Sequence, residues 1–205
     1  VADPIATNIG SLTKDGAGIL TLSGVNTYAG GTVINGGRVT ITTDANLGNL
    51  TGGITVNADA ELQTGNVTSS RAIILNNGAI FSQGGNSTFA TTGNVTGTGG
   101  VRTTTVSFGS NWALNGTNNT FEGPVLIGIN GSGGNSYTIS VASLADSPTA
   151  NGRIEFNSLS THGTLASSFT YTGTTNLVLN HRQIYLTSAN ASPGHKLISN
   201  GVGTI

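Results

Sequence analysis

The sequence predicts an all-β protein wound as a parallel β-solenoid, with a β-sandwich as the competing arrangement. Three observations carry this. Thr, Val and Ile, which suit strands, alternate with Gly and Asn, which suit turns of positive φ. No window of a dozen residues sustains an i, i+3, i+4 apolar stripe. Strand-like runs start every 8–12 residues or so, as in sandwiches, barrels and solenoids.

The runs are short. Leu20 and Leu22 alternate with Thr21 until Gly24 breaks the pattern; Val33 and Ile34 follow; Asn35-Gly36-Gly37 turns the chain; Val39 and Ile41 alternate with Thr40. Period two continues over residues 54–58 and 60–64, and residues 72–81 read as strand, Asn-Gly turn, strand. Further strands are expected at 137–141, 153–156, 176–180 and 183–187, while 161–168 shows no period and reads as loop.

Internal similarity favours the solenoid. Leu12, Gly16, Gly18 and Leu20 match Leu197, Gly201, Gly203 and Ile205. Roughly half that offset, about 92 residues, reaches a third copy. There Leu22, Gly24, Asn26, Tyr28, Gly30, Val33 and Ile34 face Leu114, Gly116, Asn118, Phe121, Gly123, Leu126 and Ile127. The expected organisation is a single domain over 1–205 with two long repeats, roughly 12–103 and 104–196, and a third beginning at 197. A weaker echo sets Arg71-Ala-Ile-Ile-Leu75 against Arg182-Gln-Ile-Tyr-Leu186, which chance in a β-rich sequence would suffice to produce.

Composition narrows the function. Of 205 residues 36% are hydrophobic and 7% charged, with net charge −1, which fits an ordered fold rather than a disordered chain. The seven basic residues are scattered, so neither a nucleic-acid surface nor membrane insertion by this segment is expected. Cys and Met are absent, and the first residue is Val1, as in a processed or excised chain. Absence of Cys is compatible with export through an oxidising compartment.

Residues Gly16, Gly18, Leu20, Leu22, Gly24, Asn26, Tyr28, Gly30, Gly31, Thr32 and Ile34 together closely resemble the autotransporter-associated β-strand repeat, also called the passenger-associated transport repeat. The second copy is degraded, with Trp112 for the first Leu and Pro124 for the Thr. The resemblance implies a right-handed parallel β-helix in a secreted or surface passenger of a Gram-negative bacterium, serving export and passenger folding rather than catalysis. The motif residues Gly16, Gly18, Leu20, Leu22, Gly24, Asn26, Tyr28, Gly30, Gly31, Ile34, Leu114, Gly116, Asn118, Phe121 and Gly123 are therefore read as scaffold. Glycines serve tight corners, Asn26 bonds backbone inside a turn, and Tyr28 and Phe121 cap the core.

Chemistry is sparse. Asp59 and Glu61 lie two apart, which on a strand places them on one face at roughly 6.5–7 Å, a spacing open to acid/base carboxylates. A solvated strand face is the favoured reading. His162, His181 and His195 lie in no metal-ligand spacing, and His181-Arg182 reads as surface beside a strand. No catalytic residue, cofactor or metal site is assigned. The expected function is a non-catalytic extracellular shaft or adhesin segment that self-associates through its solenoid ends or continues in a longer chain. A glycan- or host-binding module is the alternative, and a polysaccharide-active β-helix enzyme ranks third.

Overall fold

The computed structural model describes residues 4–6, 9–76, 78–83, 87–103, 110–127, 137–147, 152–158, 168–177, 179, 182–188 and 196–199. Among them the chain lays down successive coils of short strands. Coil 1 contributes β1 (Leu12–Lys14) and β2 (Ile19–Leu22), and coil 2 contributes β3 (Thr32–Ile34) and β4 (Arg38–Ile41), followed by a 3-10 turn at Asp44–Leu47. Coil 3 gives β5 (Ile54–Val56), β6 (Glu61–Thr64) and β7 (Val67–Ser69); coil 4 gives β8 (Ile73–Leu75), β9 (Ile80–Gln83) and β10 (Thr88–Thr91). Coil 5 gives β11 (Val95–Gly97), β12 (Gly100–Thr103) and β13 (Ser110–Leu114). Coils 6 to 8 give β14 (Val125–Ile127) with β15 (Tyr137–Val141), β16 (Ile154–Ser158) with β17 (Ser168–Tyr171), and β18 (Ile184–Ser188) with β19 (Lys196–Ser199).

Three sheets run along the stack. The five-stranded sheet is β1-β3-β5-β8-β11, the six-stranded sheet joins β7 to β19, and the eight-stranded sheet joins β2 to β18. Each strand pairs in parallel with its counterpart one coil away, as at Leu62↔Phe81 and Phe81↔Val101. A sandwich of antiparallel sheets is thereby excluded. The chain is a parallel β-helix, and right-handed winding is the sense that parallel crossovers take.

The repeating unit is one coil. Val39 sits on Leu62, Leu62 on Phe81, Phe81 on Val101, Val101 on Val125, and Val125 on Ile154. A coil therefore uses roughly 20 residues early and roughly 30 late, within the range of stacked repeats. The longer sequence period joins parts in the same order on different faces: Leu22 lies in the eight-stranded sheet and Leu114 in the six-stranded one.

Inward side chains fill the column. Ile34, Val56 and Leu75 stack on one wall, and Val39, Leu62, Phe81, Val101 and Val125 on the second. Phe89, Trp112, Ile139 and Phe169 stack on the third. All are buried, each contributing about 1.5–3 kcal/mol by leaving water. Phe81, Phe89 and Trp112 interlock, with ring centroids 4.7, 4.6 and 5.4 Å apart in tilted and edge-on pairs. Of the strand expected at 176–180, the described residues 176, 177 and 179 lie outside the assigned strands, and Leu177 is buried. The expected loop at 161–168 lies outside the described residues except Ser168, which opens β17.

At the corner between the five- and eight-stranded sheets an amide ladder climbs the stack. The Asn76 amide donates to Asn57 Oδ1 at 2.9 Å, Asn57 to Asn35 Oδ1 at 2.8 Å, and Asn35 to Asp15 Oδ1 at 2.8 Å. Beside it the backbone takes positive φ once per coil, at Gly16, Gly37, Asp59 and Gly78. Asp59 thus occupies a left-handed turn position, at φ 58°, that glycine fills in the neighbouring coils. Left-handed backbone costs a side-chain-bearing residue roughly 1–2 kcal/mol. Asp59→Gly is expected to be neutral or stabilising by up to about 1 kcal/mol, and Asp59→Val to destabilise by more than about 1 kcal/mol. Urea denaturation checks both; a Val variant as stable as the parent would contradict the assignment.

Candidate functional site

The residues of the repeat motif form a corner, and the corner is structural. From Leu22 to Tyr28 burial alternates strictly, with Leu22, Gly24, Asn26 and Tyr28 inward. Gly16 and Gly18 are exposed in the turn before β2, and Leu20 is half-buried at the uncovered end of the column. Gly31 has φ 85°, and a Cβ there would stand 2.6 Å from the Gly53 carbonyl oxygen, so only glycine lets coils 2 and 3 approach this closely. Its neighbour Gly30 is exposed, Ile34 is fully buried, and the buried Tyr28 hydroxyl bonds the Thr32 hydroxyl at 2.7 Å. Burial raises the Tyr28 pKa, outweighing the opposing Thr32 bond and the Arg71 charge.

Asn26 ties three coils together. Its Oδ1 accepts from the Ile5 N–H at 2.7 Å, and its amide donates to the Asn46 carbonyl one coil on. Asn46 repeats the device, accepting from the Thr42 and Thr43 N–H groups at 3.0 and 2.9 Å and donating to the Gly24 carbonyl at 3.0 Å.

In the second copy Leu114, Gly116, Phe121 and Gly123 are buried. Asn118 is not the counterpart of Asn26: its side chain is exposed. The buried amide is Asn119, which accepts from the Val95 N–H at 2.9 Å and donates to the Gly116 and Ser143 carbonyls at 3.0 and 3.1 Å. A one-residue slip turns a side chain from core to solvent, and two adjacent asparagines hide it. The sequence reading also missed a third copy of the aromatic corner. Tyr171 is buried and its hydroxyl donates to the Thr175 carbonyl, the same four-residue reach as Tyr28 to Thr32. The shared Tyr-x-Gly-x-Thr spacing was the available signal.

Two arginines are buried inside corners. Arg71 meets the Asp44 carboxylate at 3.0 Å and donates to the carbonyls of Asp44, Gly48, Asn49 and Gly52. Arg182 corrects the surface reading of His181-Arg182. It is 3% exposed, donates to the carbonyls of Phe121, Gly123, Ala145 and Gly152, and lies 5.4 Å from the Phe121 ring centroid. Those carbonyls come from two preceding stretches of the wall, so a single guanidinium clamps the stack. Burial pushes its pKa down to about 10 against the nearby Asp146 and Glu122 charges, leaving it charged at neutral pH. His162, His181 and His195 lie outside the described residues.

The carboxylate pair does not assemble. Asp59 sits in the exposed turn, while Glu61 lies in β6 between two arginines. Arg38 Nε stands 2.8 Å and Arg102 Nη2 3.2 Å from its oxygens, and the Ser82 hydroxyl donates to it. Burial alone would raise the Glu61 pKa, but the Ser82 bond and the two guanidiniums together hold it below the usual range. That is the setting of a permanent carboxylate, opposite to the raised pKa of a proton donor. Among the described residues no group of three His, Cys, Asp or Glu could hold a metal ion.

The pH dependence follows. A depressed folded pKa gives stability that is complete above the unfolded value, near about 4.3, and lost as pH falls through the lower folded value. Urea midpoints of the parent are expected to fall more steeply with acidification below about pH 4.3 than those of Glu61→Gln. Parallel curves for the two proteins would refute the placement.

Residues 12–41 match the family model described as passenger-associated-transport-repeat. Over 86 residues, 42% of this chain, the sequence is 38% identical to the adhesin BmaC autotransporter of Brucella suis biovar 1 (strain 1330). The matched stretch is 2% of that adhesin's length. No solved structure matches the chain.

Proposed function

Starting from a chain that carries an autotransporter passenger repeat, we propose that it is a non-catalytic, adhesin-like passenger segment, displayed at a bacterial surface or secreted, whose β-helix serves as a shaft. The observation that carries this is the use made of the repeat. Its Asn26, like Asn46 one coil on and the later Asn119, bonds backbone groups of adjacent coils. Its aromatic residue fills the core. A motif committed to stacking builds length and stiffness, at about 4.8 Å per coil. The test is surface labelling of the full-length protein in its own host, beside a version with coils 3 and 4 deleted in frame. Labelling of intact cells is expected for both, with a shorter projection for the deletion by electron microscopy. Labelling that appears only after lysis would overturn the reading.

A second feature bears on assembly. Among the described residues β1 and β2 end their sheets with one unpaired edge each, and Ile9 and Ile19 beside them are 91% and 66% exposed. Such an edge suits continuation by another coil, from the same polypeptide or from a second copy stacked head to tail. Sedimentation of the chain over a wide concentration range, with an Ile9→Lys, Ile19→Lys variant as control, tests the second copy. Mass rising with concentration only in the parent supports self-association, and a monomer throughout removes it.

A further inference from the structure

We propose that the outer corner of the solenoid across coils 4 to 7 binds a carboxylate-bearing sugar ring, one residue of an acidic glycan. The inference rests on the surface-passenger reading and supplies it with a ligand class.

The recess arises from the chain itself. The corner between the five- and eight-stranded sheets runs over residues 76–79 in coil 4 but only over Thr98 and Gly99 in coil 5. The described amide ladder reaches Asn76, at the edge of this shortened corner. Beyond it the coils close up on glycine: a Cβ at Gly100 would meet the Pro124 carbonyl oxygen at 2.4 Å. That close approach explains the glycine, and the glycine by itself implies no ligand. What it leaves is a groove of about 290 Å³ whose lining includes Ile80, Gly99, Pro124, Leu126, Arg102 and Arg153. The volume is at the small end for ligand sites and suits one ring rather than a chain of them.

Charge selects the occupant. Among the described residues two guanidiniums line the groove and no carboxylate does. Among the described ion pairs Glu61 is shared by Arg38 and Arg102 and Glu155 pairs Arg153 at 2.5 Å, so Arg102, which lines the groove, has only a shared carboxylate. Arg102 Nε is buried with no acceptor among the described residues, a costly state for a charged donor. A carboxylate meets a guanidinium as a two-pronged acceptor, while the C–H face of a pyranose lies against Ile80, Pro124 and Leu126. An acidic peptide fits less well. The strands of this wall, β9, β12 and β14, are paired with neighbours on both sides, which leaves no edge to which an extended chain could add.

The experiment titrates the purified chain by NMR with glucuronate-terminated and sialate-terminated oligosaccharides, with their neutral counterparts lacking the carboxylate, and with hexaglutamate. At least one acidic sugar is expected to bind, shifting the Ile80 and Leu126 methyl signals, with the neutral counterpart and the peptide at least about tenfold weaker. A response to one acid alone identifies which source the groove takes. Arg153→Gln and Leu126→Glu, both at half-buried outward positions, are each expected to weaken binding at least about tenfold with circular dichroism unchanged. The proposal fails if no acidic sugar binds up to about 10 mM, if neutral sugar or peptide binds equally well, or if the shifts map elsewhere on the chain. Such a failure leaves the surface location, which is read on cells, untouched.

Discussion

Replacing Arg71 by methionine is expected to destabilise the protein by about 3–5 kcal/mol, the range for breaking a buried ion pair by removing one partner. Its side chain is fully shielded from solvent, and the Asp44 carboxylate it meets is 11% exposed. Four carbonyls of the 44–52 loop, which carries the 3-10 turn, converge on the same guanidinium. A loop buried against the next coil must satisfy its carbonyls somehow, and this one does so with a single side chain. Methionine fills the volume but withdraws the shared donor from all four oxygens, of which the Asn49 carbonyl keeps the Gly52 N–H at 3.0 Å. Lysine keeps the charge but offers a point donor in place of a planar fork, so Arg71→Lys is expected to recover less than half of the loss. Adding Asp44→Asn to the methionine variant should restore part of it, because the buried charge is then no longer uncompensated. Urea denaturation followed by circular dichroism measures all three. A methionine variant within about 1 kcal/mol of the parent would show that water takes over the role.

What could be read from the sequence and what could not divides along a physical line. The corner from Gly16 to Ile34 was legible because its apolar and glycine positions alternate at the strand period and recur. Strands β7, β10, β11 and β12 were not read, since Val-Thr-Ser, Thr-Phe-Ala-Thr, Val-Thr-Gly and Gly-Val-Arg-Thr carry only one large apolar residue each. They are held by the coils on either side, information that no single stretch contains. The short coil period was masked for the same reason: coils share a shape while their sequences drift, and only the best-preserved corners align. Arg71 and Arg182 show the converse. Their Arg-x-Ile-x-Leu echo is slight enough for chance to produce, yet both place a guanidinium inside the wall. Arginine is rarely buried unless paired, so sequence alone assigned Arg182 to the surface; the carbonyls that receive it are supplied by residues 121–152. The candidate chemistry dissolved on similar grounds, because a turn at Asp59 breaks the strand geometry that would have paired it with Glu61.

Trp112 is where loss of a side chain should reach furthest along the stack. It is the only tryptophan, 1% exposed, stacked on Phe89 and under Ile139, with Phe81 against its edge. Trp112→Ala is expected to cost about 3–5 kcal/mol through lost burial and the cavity left behind. Trp112→Phe should stay within about 1–1.5 kcal/mol, since the indole N–H has no acceptor among the described residues and its removal relieves a buried donor. The position matters as much as the size. Coil 5 holds the last strand of the five-stranded sheet, and beyond it each coil lengthens. In a solenoid each coil touches only its neighbours, so stability is a sum of local terms and one weak interface can uncouple the two sides. The alanine variant is therefore expected to melt in two steps, with the C-terminal coils releasing first because among the described residues coils 6 to 8 lay down two strands each where coils 3 to 5 lay down three. Proteolysis at intermediate urea should then leave an N-terminal fragment that retains coils 1 to 4. A single transition at the parent's midpoint would mean that coil 5 is not the seam.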